Sequence, residues 1–231
     1  MRVALITGVG PGTGAALVRR FAADGYQVAM LARNADRLAG LEAEIGQAHA
    51  FPVDVTDPAA LDAAVGLVES RLGAPKVVVH NAVGGAFGSF QDIDPTVLAE
   101  NFDVNVMAFL RLARRVAPAM VAAGEGAIIA SGNTSALRGR ANFAGFAPTK
   151  AAQRILAEAI ARDLGPKGVH VAYVVIDAVI DLEWTRKRFA DAPDDFFIRP
   201  DDIAAEIFHV AHQPKSAWSF NVEVRPFRET W

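Results

Sequence analysis

Short apolar runs alternate along this chain with longer segments in which apolar positions recur at helical spacing. The apolar runs fall at residues 2–7, 27–32, 49–54, 76–80, 126–131, 170–176 and 219–224. Most of these runs are continuously apolar, which is typical of strands that are covered on both faces of a sheet. The alanine-rich helical segments fall between them, at 13–24, 35–45, 58–72, 95–122, 149–164 and 201–212.

This alternation predicts an α/β protein with a Rossmann-like, doubly wound parallel sheet of about seven strands and helices on both faces. Because no repeat, linker or low-complexity tract interrupts the pattern, we predict that residues 1–231 form a single nucleotide-binding domain. The segment 181–200 is the least regular part of the pattern. We therefore predict that it forms a substrate loop or lid.

The amino-acid composition indicates which kinds of partner the protein binds. The 231 residues are 52% hydrophobic and 21% charged, which supports a sizeable core rather than disorder. A net charge of −3 gives no field that attracts nucleic acid or acidic membranes, and no apolar run reaches the ~20 residues that cross a bilayer. The chain has no cysteine, which excludes disulfides and thiolate chemistry. We expect a cytoplasmic protein that binds a small molecule, with neither a nucleic-acid nor a membrane partner.

A glycine-rich loop, TGVGPGTG, joins the first apolar run to the first helical segment. Glycines let the backbone turn tightly against a pyrophosphate, and the following helix N-terminus offers free N–H groups. Two spacings compete here: Gly10-x-Gly12-x-x-Ala15 matches one dinucleotide fingerprint, and Thr7-Gly8-x-x-x-Gly12-x-Gly14 matches another. The residues predicted to bind the dinucleotide in this loop are Thr7, Gly8, Gly10, Pro11, Gly12, Thr13 and Gly14.

The second spacing, with four later stretches in the same order, resembles the short-chain dehydrogenase/reductase family along nearly the whole chain. These stretches are VDVTD, HNAVGG, NFDVNVMAF and GFAPTK. The resemblance implies an NAD(P)-binding oxidoreductase fold. It also implies that Asp54, beside Val55, contacts the adenine. In HNAVGG it implies that Asn81 steadies the central strand while Ala82 and Val83 lie under the adenosine.

In that family an asparagine, a serine, a tyrosine and a lysine act together. The resemblance places the asparagine at Asn105 and the lysine at Lys150, where the lysine would bind the nicotinamide ribose and the asparagine would hold a water that connects the lysine to solvent. The tyrosine position, four residues before the lysine, is Phe146, and the serine position, thirteen residues earlier, is Asn133. The resemblance therefore implies a catalytic set in which two of four positions are altered.

Several alternatives stay open around these positions. Ser131 and Ser135 lie two residues either side of Asn133, so a shifted register would restore a serine. Phe146 is interpreted as an apolar wall, and the loss of a positioned acid costs about 10²–10⁴-fold in rate. Tyr173 is a candidate replacement donor, although its hydroxyl fits better a partner at a core boundary, and His80 is interpreted as structural.

The choice of dinucleotide depends on the end of the second strand, which reads LARN. A carboxylate there would favour NAD(H), whereas an arginine favours the 2′-phosphate of NADP(H). We predict NADP(H) over NAD(H), bound by Arg33 with help from Asn34. Pro11 offers no second basic group.

The stretch VVIDAVID departs from the family, which usually has Pro-Gly where Ile176-Asp177 stand. By position the residue whose backbone holds the nicotinamide carboxamide is Val179, and Asp181 stands where threonine or serine is common. The two aspartates are interpreted as caps of the following helix. The resemblance also implies a homodimer or homotetramer formed by the helices at 95–122 and 149–164.

Two functions follow from these patterns. The first is an NADP(H)-dependent oxidoreductase with a non-standard active site, acting on a small apolar carbonyl, enone or quinone. The alternative is a catalytically silent NADP(H)-binding sensor or scaffold. The predicted dinucleotide site serves both, so the residues at the reactive positions decide between them.

Overall fold

The computed structural model describes residues 1–230, in which seven strands form one parallel sheet. The strands are β1 Arg2–Thr7, β2 Tyr26–Ala32, β3 Ala48–Pro52, β4 Val77–His80, β5 Gly126–Asn133, β6 Val169–Ile176 and, after the short β7 Val179–Ile180 and β8 Phe197–Ile198, β9 Asn221–Val224. Their order in the sheet is β3-β2-β1-β4-β5-β6-β9, and every neighbouring pair is parallel. The predicted Rossmann-like fold is therefore confirmed.

Helices cover both faces of this sheet. They are α1 Thr13–Ala23, α2 Ala35–Glu44, α3 Pro58–Leu72, α4 Pro95–Phe102, α5 Ala108–Ala123, α6 Ala147–Leu164, α7 Glu183–Arg188 and α8 Pro200–Ala211. Apolar residues of α3, α5 and α6 pack on one face, and those of α1, α2 and α8 pack on the other. The continuously apolar strands are explained by this arrangement, since their side chains are buried alternately in the two cores.

The helix expected at 95–122 is not one continuous α-helix. A π-helical turn, Asp103–Met107, separates α4 from α5. Single π-turns inside helices frequently mark functional sites because they redirect one turn of backbone. This turn contains Asn105, so the irregularity falls at a position that the sequence singled out.

The crevice of the fold lies between the loops that follow β1 and β4. The strand order reverses there, because β1 has β2 on one side and β4 on the other. Gly8, directly after β1, has φ +69°, and an added Cβ would lie 2.4 Å from the backbone nitrogen of Ala82 after β4. Only glycine fits at this position, because both the left-handed conformation and the close backbone approach exclude a side chain.

The segment 181–200 has more regular structure than its sequence predicts. Strands β7 and β8 pair in parallel, with Val179 opposite Phe197, and α7 lies between them. Arg186 bonds both carboxylate oxygens of Asp181 and one of Asp194. The expectation that Asp181 caps the helix is wrong, because the N-cap residue of α7 is Leu182 and the Asp181 carboxylate is taken by Arg186.

Within residues 1–230, no helix is long and apolar enough to cross a membrane. The same residues contain no cluster of three or more side chains suited to hold a metal ion.

Candidate active site

The glycine loop presents the open end of α1 to the crevice. No side chain caps the N-terminus of α1, which follows Gly12. The hydroxyl of Thr13, in the first turn, is buried without a hydrogen-bond partner. A helix N-terminus with free N–H groups attracts anions, and an unpartnered hydroxyl beside it adds a donor. These residues therefore fit the pyrophosphate of a dinucleotide.

Leu182 closes over this loop, and the sequence did not identify it. An added Cβ at Gly12 would meet the Leu182 side chain at 2.6 Å. Gly12 thus lies directly under the Leu182 side chain, which would have to move for any larger residue there, whereas a Cβ at Gly14 would collide with the fixed carbonyl of Gly8 at 2.7 Å. Gly10, by contrast, has open space around its Cα. The predicted lid segment therefore touches the predicted phosphate loop through one leucine.

The end of β2 carries two exposed polar residues, Arg33 and Asn34. Asn34 accepts a hydrogen bond from the Arg37 backbone N–H at 2.8 Å and so caps α2. Asp54, after β3, accepts from the backbone and hydroxyl of Thr56. These bonds, with a smaller effect of the Arg33 guanidinium, lower the pKa of Asp54. Arg33 and Asp54 therefore lie on one side of the crevice, as the sequence predicts for an adenosine site.

Asn81 ties three strand ends together. Its Nδ2 donates to the Gly8 carbonyl at 3.0 Å, and its Oδ1 accepts from the Ser131 hydroxyl at 3.0 Å. The backbone N–H of Ala82 points to the Thr7 hydroxyl at 3.4 Å. Val83, the next residue, is exposed. The structure thus shows Asn81 bracing the glycine loop against β5.

His80, at the end of β4, is fully buried and uses both ring nitrogens. Nε2 donates to the Val104 carbonyl at 3.2 Å, so Nδ1 accepts from the Thr7 hydroxyl at 3.1 Å. Burial, with the nearby Lys150 ammonium, lowers the pKa of His80 to about 3. This histidine is therefore neutral and structural, as the sequence indicated.

Asn105 joins the loop after β4 to the start of α6. Its Oδ1 accepts from the Gly84 N–H at 3.1 Å, and its Nδ2 donates to the Gly84 carbonyl at 2.7 Å and to the Thr149 hydroxyl at 2.8 Å. Thr149 in turn donates to the Phe146 carbonyl at 2.8 Å. The side chain is fully buried and its hydrogen-bonding capacity is satisfied within the protein.

Lys150 is 2% exposed, and its amine lies against the end of β5. Nζ donates to the Ser131 carbonyl at 3.1 Å and to Gln153 Oε1 at 2.7 Å. Burial lowers the pKa of Lys150 to about 7. The amine is therefore close to its protonation midpoint at neutral pH, unlike an ordinary lysine.

Gln153 and Tyr173 complete this buried group, and the sequence analysis did not select Gln153. Gln153 Nε2 donates to the Asn105 carbonyl at 2.6 Å. The Tyr173 hydroxyl lies 3.3 Å from the Lys150 carbonyl and 3.4 Å from Gln153 Oε1. Tyr173 is wholly buried beneath α6, and burial raises its pKa, so it does not reach a ligand and the suggestion that it replaces the missing proton donor is wrong. A polar residue one turn after Lys150 on an alanine-rich helix was the available signal for Gln153.

Phe146 and Asn133 lie at the start of α6 and at the end of β5, the two elements that hold Lys150. Phe146 is the N-cap residue of α6 and is 7% exposed. Its ring is 6.2 Å from that of Phe87, which packs edge-on to Phe143 at 5.1 Å. Asn133 ends β5, and its Oδ1 accepts from the Ser135 N–H at 3.1 Å. The start of α6 therefore carries a cluster of aromatic rings, and the end of β5 carries an amide.

Asp177 is a buried carboxylate that is only partly satisfied. It follows β6 and is 4% exposed. Its Oδ2 is buried without a hydrogen-bond partner, and its Oδ1 is 3.7 Å from Arg138. Arg138 also lines an open cavity of ≈ 370 Å³ beside α6. The sequence singled out Asp177 but offered only helix capping for it, and no helix begins within five residues of it.

Taken together, the ends of β1, β4 and β5 carry one connected set of hydrogen bonds. Gly8 binds Asn81, Asn81 binds Ser131, and Ser131 binds Lys150. The candidate phosphate loop and the candidate reactive lysine therefore belong to the same crevice at the carboxyl edge of the sheet.

Comparisons with known proteins identify the family to which the chain belongs. The profile of the family described as short chain dehydrogenase matches residues 2–191. The 7alpha-hydroxysteroid dehydrogenase of Escherichia coli is 31% identical over 229 residues, which cover 94% of this chain and 89% of that protein. The serine 3-dehydrogenase of Agrobacterium fabrum is 30% identical over 243 residues, which cover 98% and 94%.

Solved structures extend the likeness to three dimensions. A metagenomic short-chain oxidoreductase crystallised in complex with NADP is similar with a TM-score of 0.85 at 30% identity, over 97% of both chains. A short-chain dehydrogenase from Rhodopseudomonas palustris is similar with a TM-score of 0.84 at 28% identity, over 98% of this chain and 99% of that one. The likeness therefore covers the whole sheet and its helices rather than the glycine loop alone.

Proposed function

Because the chain belongs to the short-chain dehydrogenase family, we propose that it is an NADP(H)-dependent oxidoreductase with an altered catalytic set, acting on a small apolar carbonyl, enone or quinone. The observation that carries this proposal is the continuous set of hydrogen bonds from Gly8 through Asn81 and Ser131 to Lys150. These bonds support the proposal because they connect the glycine loop to the buried amine.

In this proposal the residues that hold the dinucleotide are distributed along four strand ends. The glycine loop with Thr13 holds the pyrophosphate, and Arg33 with Asn34 holds the 2′-phosphate. Asp54, Val55, Ala82 and Val83 surround the adenosine, Val179 holds the carboxamide through its backbone, and Lys150 binds the ribose. When bound, NADPH supplies a hydride. Leu182, seated on Gly12, shields the phosphates from water in the proposed lid.

In this proposal the substrate binds in an opening between Phe146 and Asn133, which lacks an acid at the position where the family keeps tyrosine. Phe146 has no ionisable group, and Oδ1 of Asn133 is already engaged by Ser135. The amide N–H groups of Asn133 then orient an acceptor oxygen on the substrate. Since a positioned acid contributes about 10²–10⁴-fold, the substrates that react fastest are those in which conjugation delocalises the charge that hydride addition creates.

The rings of Phe87, Phe143 and Phe146 favour an apolar substrate. They meet at 5.1 Å and 6.2 Å along one side of the opening, and Phe87 is 71% exposed. An exposed phenylalanine beside two others provides apolar area that a flat ligand covers. Enones and quinones present such a face together with an acceptor oxygen.

The test is NADPH oxidation against a panel of quinones, conjugated enones and simple ketones, alongside NADPH binding measured by fluorescence. We expect NADPH to bind, and quinones or enones to be reduced faster than simple ketones. Tight binding with no turnover on any acceptor would instead support the silent sensor or scaffold. Absence of NADPH binding would contradict both functions.

We also propose that the protein is a homodimer or homotetramer, assembled through α5 and α6. Ile155 on α6 is 55% exposed and Met107, just before α5, is 38% exposed. Light scattering should give a multiple of 24.5 kDa, and a monomer at all concentrations would contradict this proposal.

A further inference from the structure

Gln153 makes a direct bridge between two of the proposed catalytic residues. It lies on α6 one turn after Lys150, so both side chains share the face that packs on the sheet. Its Oε1 accepts from Lys150 Nζ at 2.7 Å, and its Nε2 donates to the Asn105 carbonyl at 2.6 Å. All three residues are buried, with at most 2% exposure.

The orientation of this amide is fixed by its partners. The amine of Lys150 is a donor, so the amide oxygen faces it, and the carbonyl of Asn105 is an acceptor, so the amide nitrogen faces that. The Tyr173 hydroxyl lies 3.4 Å from the same amide oxygen. Reversing the amide would bring donor against donor and acceptor against acceptor in a buried site, which is strongly unfavourable.

Contacts of this length place the Gln153 amide directly between the amine and the carbonyl, so no water lies within either contact. A water molecule accepts and donates interchangeably and so passes protons along a chain. A primary amide only accepts through its oxygen and only donates through its NH₂ group, and it is neither an acid nor a base near neutral pH. The bridge therefore positions the amine but transmits no proton through the Asn105 carbonyl.

We propose that Gln153 is a positioning residue that fixes Lys150 Nζ at the floor of the crevice and seals it from proton exchange along α5. The inference rests on the proposed function only for its consequence, which is that Lys150 serves to bind and orient ligands rather than to relay protons. The contacts that carry it belong to this chain alone.

The other titratable groups facing the amine are His80 from β4 and Tyr173 from β6. His80 is neutral because its pKa lies near 3, and burial raises the pKa of Tyr173, so both are uncharged at neutral pH. The polar groups that the amine contacts are the Ser131 carbonyl and the Gln153 amide oxygen. The Gln153 oxygen is therefore a principal stabiliser of the ammonium form.

The experiment titrates Lys150 directly in the protein without added cofactor. The chain has five lysines, so selective isotopic labelling of lysine side chains gives resolvable NMR signals, with Lys150→Met for assignment. In wild type we expect a pKa near 7. Gln153→Leu removes an acceptor of the ammonium form and lowers this pKa, whereas Gln153→Glu places a carboxylate there and raises it. Each shift should be about tenfold or more in the acid constant.

Gln213→Leu is the matched control. Gln213 also makes two side-chain hydrogen bonds, both to Ser219, and it lies at the opposite edge of the sheet, so its loss should leave the Lys150 pKa unchanged. If the pKa of Lys150 is unchanged in both Gln153 variants, Gln153 only fills space in the core and the proposal is overturned. If Gln153→Leu fails to fold, the near-isosteric Gln153→Glu decides alone.

Cofactor binding separates this inference from the proposed function. With the amine released from its place, Gln153→Leu should bind NADPH about tenfold more weakly than wild type. If wild type itself does not bind NADPH while the pKa shifts follow the expected signs, the proposed function fails and the role of Gln153 stands. If wild type binds NADPH while the pKa of Lys150 does not shift in the Gln153 variants, the role of Gln153 fails and the proposed function stands.

Discussion

Backbone contacts shape one end of the crevice, at the glycine loop, and side-chain contacts shape the other end, at the start of α6. At the glycine loop, backbone contacts decide which residue is allowed, as at Gly8, where a Cβ would lie 2.4 Å from the Ala82 nitrogen. At the start of α6, buried side chains hold one another, and the Gln153–Asn105 bond joins residues 48 positions apart. Both contacts join distant parts of the chain, but the first depends on glycines that form a recognisable local motif, whereas the second depends on buried side chains that form none.

This difference indicates which end tolerates change. A backbone-built phosphate site loses its shape when a glycine is replaced, but its chemistry requires no particular side chain. A reactive site that is formed by side chains keeps its shape when individual groups are replaced, provided that each buried polar atom retains a hydrogen-bond partner. Phe146 and Asn133 are consistent with this, because Phe146 packs near Phe87 and the Asn133 amide oxygen accepts from the Ser135 N–H.

The largest effect on activity should come from introducing, at positions 146 and 133, the tyrosine and serine that the proposed catalytic set lacks. Phe146→Tyr combined with Asn133→Ser should gain NADPH-dependent reduction of activated aromatic ketones by about 10²–10⁴-fold over wild type. Residues 146 and 150 are one turn apart, so the new phenol would lie near the Lys150 amine, which lowers its pKa. Each single change should give less than the pair, because both groups act on one oxygen.

Its control is equal NADPH affinity of the double variant and wild type. A double variant that binds NADPH normally, yet stays as slow as wild type on every ketone, would show that the absent acid is not what distinguishes this site. A wild type that is already fast on simple ketones would contradict the proposed substrate preference, since another donor would then be present.

The next largest effect concerns the proposed dinucleotide-binding end of the crevice. Arg33→Ala should reduce the preference for NADPH over NADH by about 10- to 100-fold, because a charge-assisted contact to phosphate is worth about 1.5–3 kcal/mol. Titration of both cofactors against wild type and variant measures it. Arg162→Ala, an exposed arginine on α6, is the control and should keep the wild-type preference. If Arg33→Ala keeps it too, the phosphate is bound elsewhere.

Much of the fold follows from local pattern alone. Alternating apolar runs and helical segments predict the parallel sheet, because continuous apolar runs are stable only when both faces are covered. The glycine loop is equally local. The π-turn at Asn105 and the small sheet formed by β7 and β8 are not, since both depend on what packs against them.

The reactive site shows the same limit residue by residue. Lys150 and Asn105 were selected through family resemblance, but their partner Gln153 has no motif of its own. Leu182 was also missed, because a leucine beside an irregular segment gives no sign that it will reach Gly12. Such contacts arise from the path of the chain in space, which short-range periodicity does not encode.

A smaller effect concerns the stability cost of Asp177. A buried carboxylate oxygen without a hydrogen-bond partner destabilises the fold, and the Arg138 contact at 3.7 Å offsets this only in part. Asp177→Asn should therefore raise the free energy of unfolding by about 1–2 kcal/mol, measured by urea denaturation at pH 7. A loss of stability would instead show that the pairing with Arg138 outweighs the burial.

The smallest effect is expected at Asp181, whose carboxylate differs from that of Asp177 in being fully bonded. Hydrogen bonds from Arg186 lower the pKa of Asp181. A lowered folded-state pKa contributes stability above the unfolded value, near 3.9, and that stability is lost as pH falls through the folded pKa. Asp181→Asn should thus be less stable than wild type at pH 7, by under about 1 kcal/mol, since the pair is partly exposed.

The pH dependence distinguishes the two aspartates. The deficit of Asp181→Asn should shrink as the pH is lowered below about 4, because wild-type Asp181 then takes up a proton and loses its advantage. Asp177→Asn should instead be more stable than wild type at pH 7, since one oxygen of that carboxylate lacks a donor. Urea denaturation of both variants at pH 7 and pH 3 measures this contrast. Equal stability of Asp181→Asn and wild type at pH 7 would mean that the pairing of β7 with β8 and the Leu182 contact hold the segment without the ion pair.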